Sequence, residues 1–295
     1  MPEGHTLKRL SLELSEAFVG RPTRVSSPQG RFAAEAALLD GASLCRAESA
    51  GKHLFLDFSG GYQVHIHLGL IGSFTIKELR DAGVADPPPP VGQIRLRLHN
   101  ATTYADLRGA TQCDLIGADR RQEIVAALGP DPLRPDAAPE SAWQRIRRSD
   151  RPIGDLLMDQ NVVAGVGNVY RAEVLFRHGI HPLRPGDTVR VGQFRAIWSD
   201  LVELMAEGVR TGRIDTVAPQ HTPEAMGRPA RVDDHGGEVY VYRRQGQACL
   251  VCGSIVRTGE LVGRNTFWCP RCQPVFRSRR RTVVSTQGRA GTRPL

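Results

Sequence analysis

The pattern of apolar and polar residues changes from helical to strand-like and back along the chain. In residues 5–18, apolar side chains recur at helical spacing, which predicts a first helix after an extended N-terminus. Segments 53–58, 63–68 and 94–99 read mostly as alternating apolar and polar side chains and predict strands. Short strands with turn residues over 21–128 suggest a β-sandwich or barrel, and we predict the sandwich.

The second half of the chain begins with a proline-rich segment, residues 129–136, that predicts a linker and a domain boundary. Residues 213–238 lack a clear period and predict a long loop, whereas residues 239–242 predict a strand. Between linker and loop, helical periodicity predicts four helices. These are residues 141–148, 152–160, 168–178 and 193–210.

The expected fold class is α+β, and we expect four parts. They are an N-terminal β-sandwich with a helix over 1–128, a helical domain over 129–238, a cysteine-containing module over 239–275 and a basic tail over 276–295.

Four of the six cysteines form two CxxC pairs that are separated by sixteen residues. This is the spacing of a four-thiolate zinc site, and a site with four thiolates has no open position for catalysis. We therefore predict one structural Zn²⁺; unrelated thiols or a redox-active pair are the alternatives. The predicted ligands are Cys249, Cys252, Cys269 and Cys272. Cys45 and Cys113 are predicted to be core thiols.

Composition narrows the class of protein. The chain has 295 residues, of which 40% are hydrophobic and 24% charged, as in a globular protein rather than a disordered one. The first 20 residues lack the apolar core of a signal peptide, and the longest uncharged stretch, 59–76, is broken by glycines and histidines. Few cysteines argue against a secreted disulfide scaffold. We expect a cytoplasmic protein without a membrane span.

Positive charge is concentrated at the C-terminus. The formal net charge is +8, and residues 276–295 contain six arginines and no acidic residue. Two interpretations stay open: a solvated, disordered tail, or part of a surface that binds a polyanion.

The first residues carry candidate chemistry. Met1 precedes the small residue Pro2, and such a methionine is usually removed. The exposed amine would titrate near pH 8 and could act as a nucleophile, with Glu3 beside it as a general acid or base. The alternative is that this proline has no chemical role.

Three sets of residues resemble motifs of the formamidopyrimidine-DNA glycosylase/endonuclease VIII (Fpg/Nei) family. Residues 1–4 resemble the family's N-terminus, residues 157–160 and 164–173 its helix–two-turn–helix signature, and residues 249–272 its zinc finger. The motifs occur in family order and span nearly the whole chain before the tail. The opening residues are more similar to the endonuclease VIII branch of actinobacteria than to the 8-oxoguanine branch.

The resemblance implies a base-excision-repair enzyme that removes oxidised pyrimidines and cuts the DNA strand by β,δ-elimination. Pro2 would attack C1′ of the damaged nucleotide and form a Schiff base, while Glu3 would protonate the sugar ring oxygen. Lys52 would donate a proton in β-elimination. Arg264 would hold the phosphate and serve δ-elimination.

DNA contacts follow from the same resemblance. Asn168 would bind a backbone phosphate, and Gly165 and Gly167 would let free N–H groups before a helix approach that phosphate. Because the damaged base must leave the stack, Leu70 is a candidate to fill the gap. The alternative for Leu70 is a core position.

Damaged double-stranded DNA is the expected partner, with single-stranded DNA as a second candidate, and we expect a monomer. Residues 106–111 lack the phenylalanine that the Fpg branch has there, which weakens an 8-oxoguanine preference. An 8-oxoguanine or formamidopyrimidine glycosylase, and a non-catalytic zinc-dependent protein that binds damaged DNA, remain the alternatives.

Overall fold

The computed structural model describes residues 2–79, 86–232 and 237–277. The helices are α1 (Gly4–Phe18), α2 (Ala33–Leu39), α3 (Ala118–Ala126), α4 (Pro139–Ile146), α5 (Ile153–Leu156), α6 (Asn168–Arg177), α7 (Val191–Thr211) and α8 (Pro223–Met226). The strands are β1 (Arg24–Ser26), β2 (Leu44–Ala50), β3 (His53–Phe58), β4 (Gln63–His67), β5 (Ser73–Glu78), β6 (Ile94–His99), β7 (Thr103–Arg108), β8 (Gln112–Ile116), β9 (Arg257–Leu261) and β10 (Arg264–Trp268).

The predicted β-sandwich is confirmed. Two antiparallel four-stranded sheets, ordered β2-β3-β4-β8 and β1-β6-β7-β5, contribute alternate residues to one apolar core. Helix α1 packs Leu7, Leu14 and Phe18 into the same core. Helices α2 and α3 lie where we expected strands and turns. Helix α2 is short and buries only Ala36 and Leu39, and α3 buries no residue, so neither has the extended apolar face that predicts a helix.

One core thiol was predicted wrongly. Cys113 is buried as expected, but Cys45 is exposed on β2. The pairing of β2 with β3 shifts between Leu44 and Arg46, and this irregularity turns Cys45 away from the core.

The helical part has a core of its own, formed mainly by α4 to α7. The predicted helix over 152–160 is shorter than expected and ends at Leu156. The chain then turns, and the Gln160 side chain donates to the carbonyl of Val166 and accepts from Gly165 N–H, at 3.0 and 2.9 Å. This side chain therefore stabilises the loop that leads into α6.

Residues 239–242 do not form the predicted strand. Their N–H groups bind a carboxylate instead of a neighbouring strand: Glu173, on α6, accepts from Tyr240 at 2.7 Å, Val241 at 2.9 Å and Tyr242 at 2.8 Å. The apolar residues of the segment are buried, as the alternating pattern predicts. The backbone hydrogen bonds go to a side chain that is distant in sequence, which the pattern could not reveal.

Helix α1 also connects the two halves of the molecule. Arg9 donates to the carbonyls of Val209 and Arg210 at the end of α7, at 3.2 and 3.0 Å. Gly4 N–H donates to the carbonyl of Gly165 at 2.8 Å, so the N-terminus lies at the seam between the sandwich and the helical part. Within the described ranges, no helix is both long enough and apolar enough to cross a bilayer.

Candidate active site at the seam between the two halves

Glu3 is completely buried and caps the N-terminus of α6. Its carboxylate accepts from the N–H groups of Gly167 and Val169, each at 2.8 Å, and from Tyr170 at 3.5 Å. The positive end of the helix dipole and three N–H donors thus face one carboxylate. This fixes the residue that follows Pro2 against the helical part.

Burial raises the pKa of Glu3 above its ordinary value, although the charge of Lys52 and the three N–H groups act in the opposite direction. A carboxyl group with a raised pKa is more easily held protonated near neutral pH. It can therefore donate a proton to a bound substrate.

Lys52 lies in the turn between β2 and β3, and a hydrogen bond to the linker holds this turn in place. Gly51, at φ +55°, donates its N–H to the buried carboxylate of Asp131 at 2.9 Å. Burial lowers the pKa of Lys52, Glu3 opposes this, and the nearby charges of Arg264 and Arg171 lower it further. The carboxylate of Glu3 and the cations Lys52, Arg171 and Arg264 therefore interact electrostatically at one place. The net positive charge of this group favours the binding of phosphate.

Arg264 begins β10, in the β9–β10 hairpin, which packs on α6. The carbonyl of Asn265 accepts from Asn168 Nδ2 at 3.0 Å and from an Arg171 guanidinium N–H at 2.8 Å, and Arg171 also donates to Asn168 Oδ1. Asn168 thus fixes the hairpin beside Lys52. Its contact with a DNA phosphate stays a prediction.

The expected free N–H groups before α6 are not free. Gly167 N–H donates to Glu3 and Gly165 N–H to Gln160, so that expectation is wrong for both glycines. A Cβ on Gly167 would lie 2.3 Å from Cδ of Glu3, and one on Gly4 would lie 2.8 Å from Cα of Gly165. The absence of a Cβ at Gly4 and Gly167 therefore lets the N-terminal segment pack closely against the loop before α6. Contact of Gly165 and Gly167 with DNA stays a prediction.

Leu70 lies at a protruding turn between β4 and β5, where Gly72 N–H donates to the carbonyl of Leu68 at 3.0 Å. It is 52% exposed and its neighbour Ile71 is 86% exposed, which excludes the core alternative. Filling the gap in DNA remains the prediction for Leu70.

The four cysteines of the two CxxC pairs converge. The sulfurs of Cys249, Cys252, Cys269 and Cys272 all lie within 4.8 Å of one another. Tetrahedral zinc with Zn–S bonds of about 2.3 Å requires sulfurs about 3.8 Å apart, and the sulfurs of Cys252 and Cys269 lie 3.4 Å apart and those of Cys249 and Cys272 3.9 Å apart. The residues present fit one zinc ion.

Comparison with known proteins covers the same regions. The chain matches the formamidopyrimidine-DNA glycosylase N-terminal domain over residues 1–113, the formamidopyrimidine-DNA glycosylase H2TH domain over 128–219, and the zinc finger found in FPG and IleRS over 246–275. "Endonuclease 8 1" of Mycobacterium tuberculosis H37Rv is 53% identical over 273 residues, covering 92% of this chain and 100% of the relative. The chain belongs to the Fpg/Nei family.

Other relatives agree with this family. "Probable endonuclease 8 2" of Streptomyces coelicolor is 32% identical, covering 100% of this chain and 99% of the relative. Among solved structures, MutM in complex with DNA containing carbocyclic 8-oxo-G superposes with a TM-score of 0.75 at 21% identity, covering 93% of this chain and 100% of that one. The Lactococcus lactis Fpg complex with abasic-site DNA gives 0.74 at 22%, covering 92% and 99%. These two structures support the fold.

Membership in the Fpg/Nei family confirms two predictions, a DNA glycosylase of base excision repair and one structural zinc in the cysteine module. Zinc would hold the module that carries Arg264. The sequence reasoning missed Arg171 as a site residue. Its signal is the spacing: Arg171 follows Asn168 by three residues, so both lie on one face of α6.

Proposed function

We propose that this chain is a bifunctional DNA glycosylase and lyase that removes oxidised pyrimidines, with Pro2 as the nucleophile. The observation that supports this most is the buried carboxyl group of Glu3, with its raised pKa, directly beside Pro2 and electrostatically coupled to Lys52. A proton donor, an amine and a cation at one seam are what the opening of a deoxyribose ring requires. We place the enzyme in the cytoplasm as a monomer.

The chemical steps follow from these groups. Once Met1 is removed, the Pro2 nitrogen bonds to C1′ while Glu3 protonates the ring oxygen, and the bond from C1′ to that oxygen breaks. The Pro2 nitrogen then loses its proton, the bond from C1′ to the base breaks with its electron pair going to the base, the base takes up a proton, and an iminium ion remains. This ion acidifies the C2′ protons; loss of one expels the 3′ phosphate, and a further proton loss expels the 5′ phosphate. Lys52 and Arg264 supply positive charge for these phosphates.

Borohydride reduction tests the nucleophile. Reduction of the iminium ion should join the enzyme covalently to DNA that contains an oxidised pyrimidine. Protein that retains Met1, in which the Pro2 nitrogen is part of a peptide bond, should give no trapped complex while still binding abasic-site DNA. Trapping that persists in this protein would assign the nucleophile to another residue. A wild-type protein that binds but never traps would favour the non-catalytic alternative.

A lesion panel tests the substrate. Excision of thymine glycol should exceed excision of 8-oxoguanine opposite cytosine. The alternative, a preference for 8-oxoguanine or formamidopyrimidine, is supported by relatives such as the "Formamidopyrimidine-DNA glycosylase" of Parasynechococcus marenigrum, 31% identical over 92% of this chain. Against it, residues 106–111 contain no phenylalanine, and Asp106 is held by Arg97 at 2.7 Å and Arg108 at 2.9 Å.

A further inference from the structure

Where the chain leaves the zinc-finger module, it packs against the helical part. Gln273 is completely buried; its side chain accepts from Cys269 N–H at 3.0 Å and donates to the carbonyl of Ile180 at 2.8 Å. Three residues later, the guanidinium of Arg184 lies 4.3 Å from the centre of the Phe276 ring. The start of the tail is therefore fixed beside residues 180–190; residues 278–295, where the rest of the predicted tail falls, lie outside the described residues.

The surface that receives Phe276 is rich in arginine. The turn at Gly186 packs on the segment after α4, because Gly186 N–H donates to the carbonyl of Arg151 at 3.0 Å and Asp187 N–H to that of Ser149 at 2.8 Å. The two segments together, residues 147–151 and 184–190, contain five arginines and two aspartates. We call four of these arginines the basic platform: Arg147, Arg148, Arg184 and Arg190.

Two members of the platform are close enough to affect each other. Burial lowers the pKa of Arg184, and the positive charge of Arg190 lowers it further. Like charges placed together cost free energy unless an anion neutralises them.

The basic platform is connected to the candidate active site through α5. Ile153 N–H, in the first turn of α5, donates to the carbonyl of Arg184 at 2.7 Å, and Gly154 N–H donates to that of Pro182 at 2.9 Å. A Cβ on Gly154 would lie 3.2 Å from the Leu261 side chain, in the hairpin whose other strand begins with Arg264. DNA bound at Arg264 would therefore extend past α5 toward the platform.

We propose that the basic platform and the arginine-rich tail bind the phosphate backbone of duplex DNA that flanks the lesion. This inference rests on the proposed function in that it takes DNA as the ligand. The tail after Arg277 has 18 residues, which include five arginines and no acidic residue. Arginine contacts to phosphates give affinity that is independent of sequence and falls with salt. The platform and tail would add affinity without taking part in chemistry.

The experiment compares the full chain, a chain that ends at Arg277, and an Arg148→Gln/Arg190→Gln variant. The matched control is Arg21→Gln/Lys77→Gln, which removes two exposed cations from the far end of the sandwich. Affinity for a long duplex with a tetrahydrofuran abasic analogue is measured from about 50 to 200 mM salt. Borohydride trapping at saturating protein, with DNA that contains an oxidised pyrimidine, is measured in parallel.

The slope of log affinity against log salt should become shallower by about 0.9 for each phosphate that the protein no longer neutralises. The truncation removes five arginines, so its slope should change by up to about 4.5, and that of the platform variant by about 2. The control should keep the full slope, and all trapping yields should stay at the full-chain level. An unchanged slope for both variants, or an equal change in the control, would overturn the inference. Absence of trapping in the full chain would contradict the proposed function alone, because the slopes would still report the tail.

Discussion

Two buried carboxylates bind backbone N–H groups around helix α6, and we propose a chemical role for only one of them. Glu3 accepts from the first turn of the helix. Glu173, from the middle of the helix, accepts from the segment that leads into the zinc finger and from the Thr216 hydroxyl at 2.6 Å. Both side chains are completely buried. Burial and backbone hydrogen bonds therefore do not by themselves identify a catalytic acid.

The difference lies in the neighbours of each carboxylate. Glu3 follows Pro2 in the chain and lies in the field of Lys52. The cations near Glu173 include Arg177 and Arg244, and both have structural partners: Arg177 pairs with Asp200 at 2.7 Å, and Arg244 binds backbone carbonyls. One carboxylate thus faces groups that can react, and the other joins two parts of the fold. Variants of the two residues should separate these roles.

Glu3→Gln should have the largest effect, a loss of base excision of about 10²- to 10⁴-fold, because an amide cannot donate the proton that opens the sugar. Single-turnover release of thymine glycol measures it, corrected for the folded fraction of the variant. An Ala variant of the exposed Glu16 should keep the wild-type rate. A Glu3→Gln protein that excises at the wild-type rate would show that Glu3, like Glu173, is only structural.

Glu173→Gln should mainly reduce stability, by about 2–4 kcal/mol, because it leaves buried N–H donors facing an amide instead of a carboxylate. Urea unfolding measures the loss. Excision per folded molecule should stay within a few-fold of wild type. A large loss of excision with normal stability would contradict the structural role and would make the two carboxylates equivalent.

Gly167→Ala tests how closely Glu3 must approach α6. The backbone of Gly167, at φ −121° and ψ −162°, is open to alanine, so any effect comes from the contact with Glu3 and not from backbone strain. We expect excision to fall about 10- to 100-fold because the carboxyl group is displaced. Gly192→Ala, in the first turn of α7 with nothing within 4 Å of its Cβ, should keep full activity. Equal activities of both variants would contradict this packing.

The sequence predicted those parts of the site that rest on local spacing. The zinc ligands follow from two CxxC pairs, and the sandwich follows from strand-like alternation. Contacts between distant segments could not be predicted in this way: the alternating residues 239–242 bind Glu173 instead of a strand, and Gly51 is held by Asp131 from the linker. The residues alone offered Pro2 and Glu3 as a candidate amine and acid, but their specific roles toward a deoxyribose came from resemblance, because no periodicity marks an N-terminal amine as a nucleophile.

Lys52→Met should have the smallest effect on base excision, a shift in its pH dependence. Glu3 acts as an acid while protonated, so excision falls as the pH rises through the pKa of Glu3. The positive charge of Lys52 lowers that pKa. Its removal should therefore move the falling limb to higher pH, measured as base release, which precedes strand cleavage. Lys77→Met, at an exposed position on β5, should leave the limb in place. If the falling limb of the pH profile does not move in Lys52→Met, or moves to lower pH, Lys52 and Glu3 are not coupled in the substrate complex. The difference between Glu3 and Glu173 would then rest only on the proximity of Glu3 to Pro2.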